Sequence, residues 1–262
     1  MDEDGLRRLS KTTGFDLATL EKDYALTWLL SGIYSRDSKI RDSLILKGGT
    51  AMRKIYSPEW RLSEDLDFTI LRRVAPRHVR QHFDLLFKTL EDKSGIAYSF
   101  DRFTAGQYAI LADVQFLGPL RFKNRIAHDI SLREKLVEKP KRRKVKPEYA
   151  DVPEFTAVVY SLNEILIEKI RTIFQRGKAR DYYDVWRLIN EHEFDFRKIR
   201  RLLIEKCTAT KVKFRPDLVF DETRLGEAKK FWTIALARLT KDLPHFDKVV
   251  SDLREKLSFL GE

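Results

Sequence analysis

The sequence predicts an α+β fold in which strands and helices mix up to about residue 160 and helices dominate afterwards. Apolar and polar residues alternate over 64–70, with Leu66, Phe68 and Ile70 on one face and Asp65, Asp67 and Thr69 on the other. From Ser161 onward, apolar residues recur at helical spacing. We therefore expect two domains, a sheet-containing domain over 1–160 and a helical domain over 161–262.

The N-terminal part of the chain is expected to begin with an amphipathic helix over 16–34, with Asp16 or Thr19 as its N-cap. A strand over 44–47 leads into a glycine turn and a short helix from Thr50, which Ser57-Pro58 ends at about Tyr56. The later elements are predicted as strand 64–70, helix 76–93, strands 107–117 and 122–132, a basic loop or hairpin over 138–150, strand 154–160, and helices 162–175, 181–191, 196–206, 225–241 and 245–258.

The composition excludes several classes of protein. The single Cys207 rules out an internal disulfide and argues against a cysteine-based zinc site. No apolar run approaches the roughly 20 residues that a membrane helix needs. The acidic start, Met1-Asp2-Glu3-Asp4, differs from the basic start of a signal peptide. We expect a cytoplasmic protein that does not associate with membranes.

The formal net charge of +11 is concentrated in two segments. Residues 133–149 carry eight Lys and Arg against three Glu, a net of +5, and residues 169–180 carry five Lys and Arg and no acid, another +5. Clustered positive charge attracts polyanions through counterion release. Nucleic acid is the favoured partner, although a solvated surface or a patch that docks an acidic protein would carry the same charge.

Asp65 and Asp67 are candidate metal ligands. Two residues apart on one strand face, their Cα atoms lie roughly 6.5–7 Å apart, so both carboxylates can reach one divalent ion. Without a cation the two like charges would repel, and aspartate is a poor strand former. Asp129 is the favoured third acid, because it faces away from the Ile126, His128 and Ile130 side of its strand, as Asp65 and Asp67 face away from the apolar side of theirs. Asp113 is its rival, with the same alternation on the preceding strand.

Gly48-Gly49 closes the strand before these aspartates and is a candidate phosphate cradle. The spacing is not that of a P-loop, and an ordinary tight turn would also use two glycines. Thr50 is a candidate nucleotide-binding residue of the same turn and can cap the helix that follows. Arg61 and Ser63, just ahead of Asp65, can contact phosphate oxygens, although Arg61 can equally be a surface residue.

Two further polar positions lie in the predicted helices. Lys169 falls in an otherwise apolar stripe that contains Leu162, Leu166 and Ile173. A lysine there either extends to solvent or has a buried anionic partner such as a triphosphate. Asp181 is either an N-cap or a catalytic carboxylate facing Lys169, and Asp184 is placed to favour the helix dipole.

Four segments, taken in order, resemble the AbiEii/AbiGii toxin family of type IV toxin–antitoxin systems. They are Lys47-Gly48-Gly49-Thr50-Ala51, Arg61-x-Ser63-Glu64-Asp65-Leu66-Asp67-Phe68, Glu164-Ile165-Leu166-x-Glu168-Lys169-Ile170 and Arg180-Asp181-Tyr182-Tyr183-Asp184-Val185-Trp186. The resemblance implies a minimal nucleotidyltransferase fold, similar to DNA polymerase β, with a helical C-terminal domain that packs on the first and completes the active site. It covers about 20–190, so residues 191–262 have no match.

The resemblance also implies a function for each site residue. Asp65 and Asp67 become ligands of Mg²⁺ or Mn²⁺, and Gly48, Gly49 and Ser63 cradle an NTP. Lys169 and Asp181 become the remaining catalytic residues, and the expected reaction transfers a nucleotide to RNA, with the tRNA 3′ end favoured and an antitoxin as protein partner. Two alternatives stay open: nucleotidyl or phosphoryl transfer to a protein such as an antitoxin, and a catalytically silent module that binds RNA or a partner.

Overall fold

The computed structural model describes residues 1–71 and 74–261. These residues form two compact units. The first contains Met1–Glu134 and Pro140–Tyr160, and the second contains Lys135–Lys139 and the chain from Ser161 onward. The prediction that strands and helices mix up to about residue 160 is confirmed, since the strands of the described residues all lie in the first unit.

A mixed sheet forms the centre of the first unit. Its strands are β1 (Leu44–Lys47), β2 (Asp65–Ile70), β3 (Ala97–Ala105), β4 (Ala109–Leu117), β5 (Lys123–Ser131), β6 (Lys141–Val145) and β7 (Phe155–Val159). Their spatial order is β3-β4-β5-β2-β1-β7-β6. The pairs β1/β7 and β2/β5 are parallel, and the other neighbouring pairs are antiparallel.

Local signals explain where the helices of this unit begin and end. They are α1 (Glu3–Thr13), α2 (Leu17–Ile33), α3 (Gly48–Ala51), which continues as a π-helical turn over Met52–Tyr56, and α4 (Pro76–Ser94). Asp16 caps α2 by accepting a 2.9 Å hydrogen bond from the Thr19 N–H. Pro76 opens α4, and Gly95 ends it in the left-handed region at φ +71°.

The second unit is helical in its described residues. It contains α5 (Leu162–Gln175), α6 (Ala179–Glu191), α7 (Phe196–Thr210), α8 (Glu222–Lys230), α9 (Trp232–Leu236) and α10 (Phe246–Lys256), with 3₁₀ turns at Pro216–Phe220 and Ser258–Gly261. A buried ion pair joins Lys206 to Glu164 at 2.9 Å. Glu164 also accepts hydrogen bonds from the N–H groups of Val137 and Glu138, which ties Lys135–Lys139 to this unit.

Several predicted elements differ from the structure. The helix predicted to be amphipathic over 16–34 is buried on nearly every side, and polar residues such as Asp23 are buried with the apolar ones because they have partners. The single helix predicted over 225–241 is two helices, α8 and α9, which meet at Phe231. Helix α1 and strand β3 were not predicted. The basic segment, predicted as a loop or hairpin, forms β6 in a hairpin with β7, so the hairpin alternative is confirmed.

Among the described residues, no helix combines the length and the apolar character that crossing a bilayer requires.

Candidate active site

The acidic residues predicted to bind metal lie together on one face of the sheet. Asp65 and Asp67 stand on β2, and the parallel register places Asp129 of β5 directly opposite Asp67. Adjacent strands lie about 4.8 Å apart, so the carboxylates of Asp67 and Asp129 lie next to each other. The other face of the sheet carries the fully buried Leu66 and Phe68. The alternation read from the sequence therefore holds.

Asp113 has a different environment from Asp129. Its partner across the β4/β5 pair is Ala127, so one whole strand separates it from β2. Its carboxylate is 2.9 Å from the Arg102 guanidinium on β3. A carboxylate already paired with an arginine has less capacity for a metal, so the structure favours Asp129 as the third acid near Asp67.

A hollow of about 230 Å³ opens on this face of the sheet. It is lined by Asp65, Asp67, Arg102, Leu111, Ala112, Asp113, Ala127, His128 and Asp129. His128 points its ring to the buried side, where its Nδ1 lies 3.0 Å from the Ile126 carbonyl oxygen. Burial lowers the pKa of His128 to about 4, so the imidazole is neutral at physiological pH.

Gly48 is held against the carboxylate of Asp67. Its φ is +72°, a left-handed conformation that side chains rarely adopt. A Cβ at this position would also collide with Asp67 Oδ2 and would stand 3.3 Å from its Cγ. Both the turn and the close approach of a carboxylate therefore require glycine. This contact brings the glycine turn and the aspartate pair, predicted separately, into one site.

Gly49 lies against the other two predicted phosphate contacts. A Cβ on Gly49 would stand 3.0 Å from an Arg61 guanidinium nitrogen and 3.1 Å from Ser63 Oγ. Arg61 is buried, and its guanidinium donates a 3.1 Å hydrogen bond to the Leu62 carbonyl oxygen. The interpretation of Arg61 as a plain surface residue is therefore wrong. Its positive charge is fixed beside the turn.

The prediction that Thr50 caps the short helix is wrong. Helix α3 begins at Gly48, with Lys47 at the N-cap position and no side-chain capping hydrogen bond. The Thr50 hydroxyl instead donates a 2.6 Å hydrogen bond to the Asp65 carbonyl oxygen. It fastens the start of β2 to the glycine turn, so its part in nucleotide binding remains a prediction.

Lys47 is a site residue that received no role from the sequence. It pairs with Asp67 across the antiparallel β1/β2 ladder, which places both side chains on one face of the sheet. Its ammonium nitrogen lies 3.9 Å from Glu134 Oε2. In the sequence, only its position immediately before the glycine pair could have indicated Lys47 as a site residue. The register of β1 against β2 shows that it lies opposite Asp67.

The donor chemistry of this face fits Mg²⁺ or Mn²⁺. The described residues contain no group of three or more His, Cys, Asp or Glu side chains already arranged as a metal cage. Mg²⁺ does not need one, because it is usually held by one or two carboxylates together with substrate phosphates and water. Asp65 and Asp67 fit that arrangement, and the participation of Asp129 stays a prediction.

Lys169 and Asp181 belong to the helical unit, where each has a local partner. Lys169 Nζ lies 2.8 Å from Asp184 Oδ2, so Asp184, rather than Asp181, is the carboxylate that faces it. Asp181 is not an N-cap, a position that Lys178 holds. The Asp181 carboxylate accepts two 2.9 Å hydrogen bonds from the Arg176 guanidinium and one of 3.1 Å from the Lys178 N–H. The predicted catalytic roles of both residues stay predictions.

Comparison with known proteins agrees with these features. Residues 29–256 match the profile of the nucleotidyl transferase AbiEii toxin family of type IV toxin–antitoxin systems. The fold is similar to that of MenT4, a nucleotidyltransferase toxin from Mycobacterium tuberculosis H37Rv, with a TM-score of 0.73 and 18% identity over 100% of this chain and 90% of that one. A search of curated protein sequences found no significant match. The resemblance seen in the motifs is confirmed, and the chain belongs to the AbiEii nucleotidyltransferase toxin family.

Proposed function

We propose that this nucleotidyltransferase transfers a nucleotide from an NTP to RNA at the sheet face that carries Asp65 and Asp67. The observation that carries the proposal is the packing of the Asp67 carboxylate against the backbone of Gly48. The contact puts an acidic ligand beside the first residue of α3, where helix N–H groups have no partner within the helix. An NTP needs both kinds of group, donors for its phosphates and carboxylates for its cation.

Each residue of the turn has a distinct part in the proposal. The N–H groups at Gly48 and Gly49 donate to phosphate oxygens, and the buried Arg61 guanidinium supplies fixed positive charge next to them. Ser63 contributes a hydroxyl donor on the same side of Gly49. Mg²⁺ or Mn²⁺, held by Asp65 and Asp67, would neutralise negative charge on the phosphates.

Two residues enter the proposal from the sequence motifs alone. Lys169 would stabilise charge on the phosphates, and Asp181 would orient the attacking hydroxyl. Because Lys169 pairs with Asp184 and Asp181 binds Arg176, each also has a structural part to play. Loss of activity in a variant of either residue therefore has to be compared with its loss of stability.

The proposed acceptor is RNA, with the tRNA 3′ end favoured, and the proposed protein partner is an antitoxin. The basic segments over 133–149 and 169–180 support a polyanionic acceptor. Membership of a toxin family supports an antitoxin partner and action in the cytoplasm.

Labelled nucleotides test the reaction type. The protein is incubated with Mg²⁺, total RNA and each NTP in turn, labelled at either the α- or the γ-phosphate. Nucleotidyl transfer leaves the α label on RNA, whereas phosphoryl transfer leaves the γ label. Asp65→Asn/Asp67→Asn should lose at least about 100-fold in rate, since it removes both charged ligands.

The controls separate the acceptor from the chemistry. A label that appears on protein and not on RNA would assign the transfer to a protein hydroxyl and overturn the RNA acceptor. Asp113→Asn removes one charge from the same face without touching the proposed ligands. If Asp113→Asn abolished transfer and the Asp65/Asp67 variant did not, the proposed site would be wrong.

A further inference from the structure

Helix α7 carries a basic cavity that the sequence motifs do not include. The cavity measures about 450 Å³ and is lined by Phe196, Arg197, Arg200, Arg201, Ile204 and Phe259. We call it the arginine pocket. Its volume lies within the range of roughly 300–1,000 Å³ typical of ligand sites. All of its residues belong to the second unit and to the part of the chain, 191–262, for which the motifs gave no role.

The arginines of this pocket share one helix face. Arg197, Arg200, Arg201 and Ile204 follow the i, i+3, i+4, i+7 spacing that aligns side chains along a helix. Like charges at i and i+4 destabilise a helix by a few tenths of a kcal/mol. No carboxylate of the described residues lies within ion-pairing distance of these three arginines. A bound anion would relieve the repulsion that the chain itself leaves in place.

The pocket also has an apolar floor. The rings of Phe196 and Phe259 are stacked, with centroids 4.9 Å apart and planes 21° apart. The Arg200 guanidinium lies 6.0 Å from the centroid of Phe214, and its buried Nε has no hydrogen-bond partner among the described residues. Ile204 is exposed at the edge. Planar guanidinium groups around an apolar floor suit a flat ring attached to a phosphate.

We propose that the arginine pocket binds a single-stranded segment of the RNA acceptor. Arg197 and Arg201 contact backbone phosphates, and a base lies on the apolar floor beside Arg200. An acidic peptide would satisfy the charges, but it supplies a flat ring only where an aromatic residue lies beside its acids. Every nucleotide of a single strand carries both a phosphate and a flat base, so the observations favour RNA. This inference rests on the proposed function, because it supplies a binding site for the acceptor named there.

The test uses the full chain and a fluorescein-labelled, single-stranded oligoribonucleotide, with binding measured by fluorescence anisotropy. Arg197→Gln/Arg201→Gln is compared with Lys230→Gln/Lys248→Gln, two exposed lysines of the same unit. Each double variant removes two positive charges, which lowers the formal net charge from +11 to +9. The substituted residues of both variants lie on exposed helix surfaces, and thermal unfolding checks that both variants fold.

The pocket variant should bind about 10- to 30-fold more weakly at 0.1 M salt, because each lost phosphate contact on a single strand lowers the slope of log affinity against log salt by about 0.7. The lysine variant should change affinity by less than about threefold. Mg²⁺-dependent NTP uptake, measured by calorimetry, should be unchanged in both, since none of the four substituted residues belongs to the proposed NTP site.

Equal weakening in the two variants would overturn the pocket and leave only a general charge effect. A pocket variant that bound RNA normally while the Asp65/Asp67 variant lost transfer would overturn this inference and leave the proposed function standing. If the wild-type protein failed to bind RNA but transferred nucleotide to a protein, both the RNA acceptor and the pocket's role would be wrong.

Discussion

The contact between Gly48 and Asp67 gives a sharp test of the candidate site. Gly48→Ala places a methyl group in a left-handed conformation at φ +72° and drives it into the Asp67 carboxylate. The backbone cost is about 1–2 kcal/mol for an L-residue in that region. Displacing Asp67 from its rotamer adds roughly 0.5–1.5 kcal/mol. The expected loss of stability is therefore about 1.5–3.5 kcal/mol.

Gly95→Ala is the matched control. Gly95 has almost the same φ, +71°, and lies in the same unit, but a Cβ there would meet no atom within 4 Å. It should lose only the backbone contribution of about 1–2 kcal/mol, which lowers Tm by roughly 2–8 °C. Subtracting the control isolates what the methyl group does to Asp67.

The functional readouts are Mg²⁺-dependent NTP binding by calorimetry and transfer of an α-labelled nucleotide. A misplacement of about 1 Å in a reacting group can cost on the order of 100-fold in rate. Gly48→Ala should therefore lose roughly that much activity, whereas Gly95→Ala should retain activity at a temperature at which both are folded. Normal metal-dependent binding in Gly48→Ala would show that the position of Asp67 does not matter, and would refute the reasoning.

Three further predictions concern other carboxylates and one lysine. Asp129→Asn should weaken metal-dependent NTP binding about tenfold or more, whereas Asp113→Asn, which removes an arginine-paired charge, should change it by less than about twofold in the same calorimetric titration. Lys169→Met should lower the free energy of unfolding by about 3 kcal/mol in urea, because it removes one partner of a buried ion pair, and adding Asp184→Asn should restore part of that loss. Burial raises the folded-state pKa of Glu21 above its ordinary value of 4.5. The stability that the Glu21 carboxyl contributes is therefore fully present below about pH 4.5 and is lost as the pH rises through the folded-state pKa. Glu21→Gln should therefore gain stability over wild type as the pH of urea unfolding rises from about 4.5 to neutral, and a constant difference would contradict this.

Much of the fold follows from short-range patterns. The alternation over 64–70 predicted both the strand and the face on which Asp65 and Asp67 lie. The capping residue Asp16 marked the start of α2. Strand β3 was missed because most of its residues are exposed, so it lacks the apolar alternation that reveals a half-buried strand. Its existence depends on pairing with β4.

The roles of Thr50 and Asp181 show where short-range reasoning fails. Both residue types are common near helix starts, so the sequence suggested capping for each. Thr50 instead bonds the Asp65 carbonyl oxygen, fifteen residues away. Asp181 lies at N3 rather than at the N-cap, where its carboxylate accepts from the Lys178 N–H and also binds Arg176. For Thr50, a cap and a tertiary contact use the same oxygen atom, and only the position of β2 decides between them.

The sequence by itself determined the aspartate pair, the glycine turn ahead of it and the family to which they belong. These features depend on residues a few positions apart, whose geometry the local backbone sets. The tertiary structure alone decided that Asp129 stands beside Asp67, that Gly48 meets the Asp67 carboxylate, and that Lys169 pairs with Asp184. The first of these depends on the register of two parallel strands far apart in the chain, which is set by the burial of whole faces rather than by any local pattern.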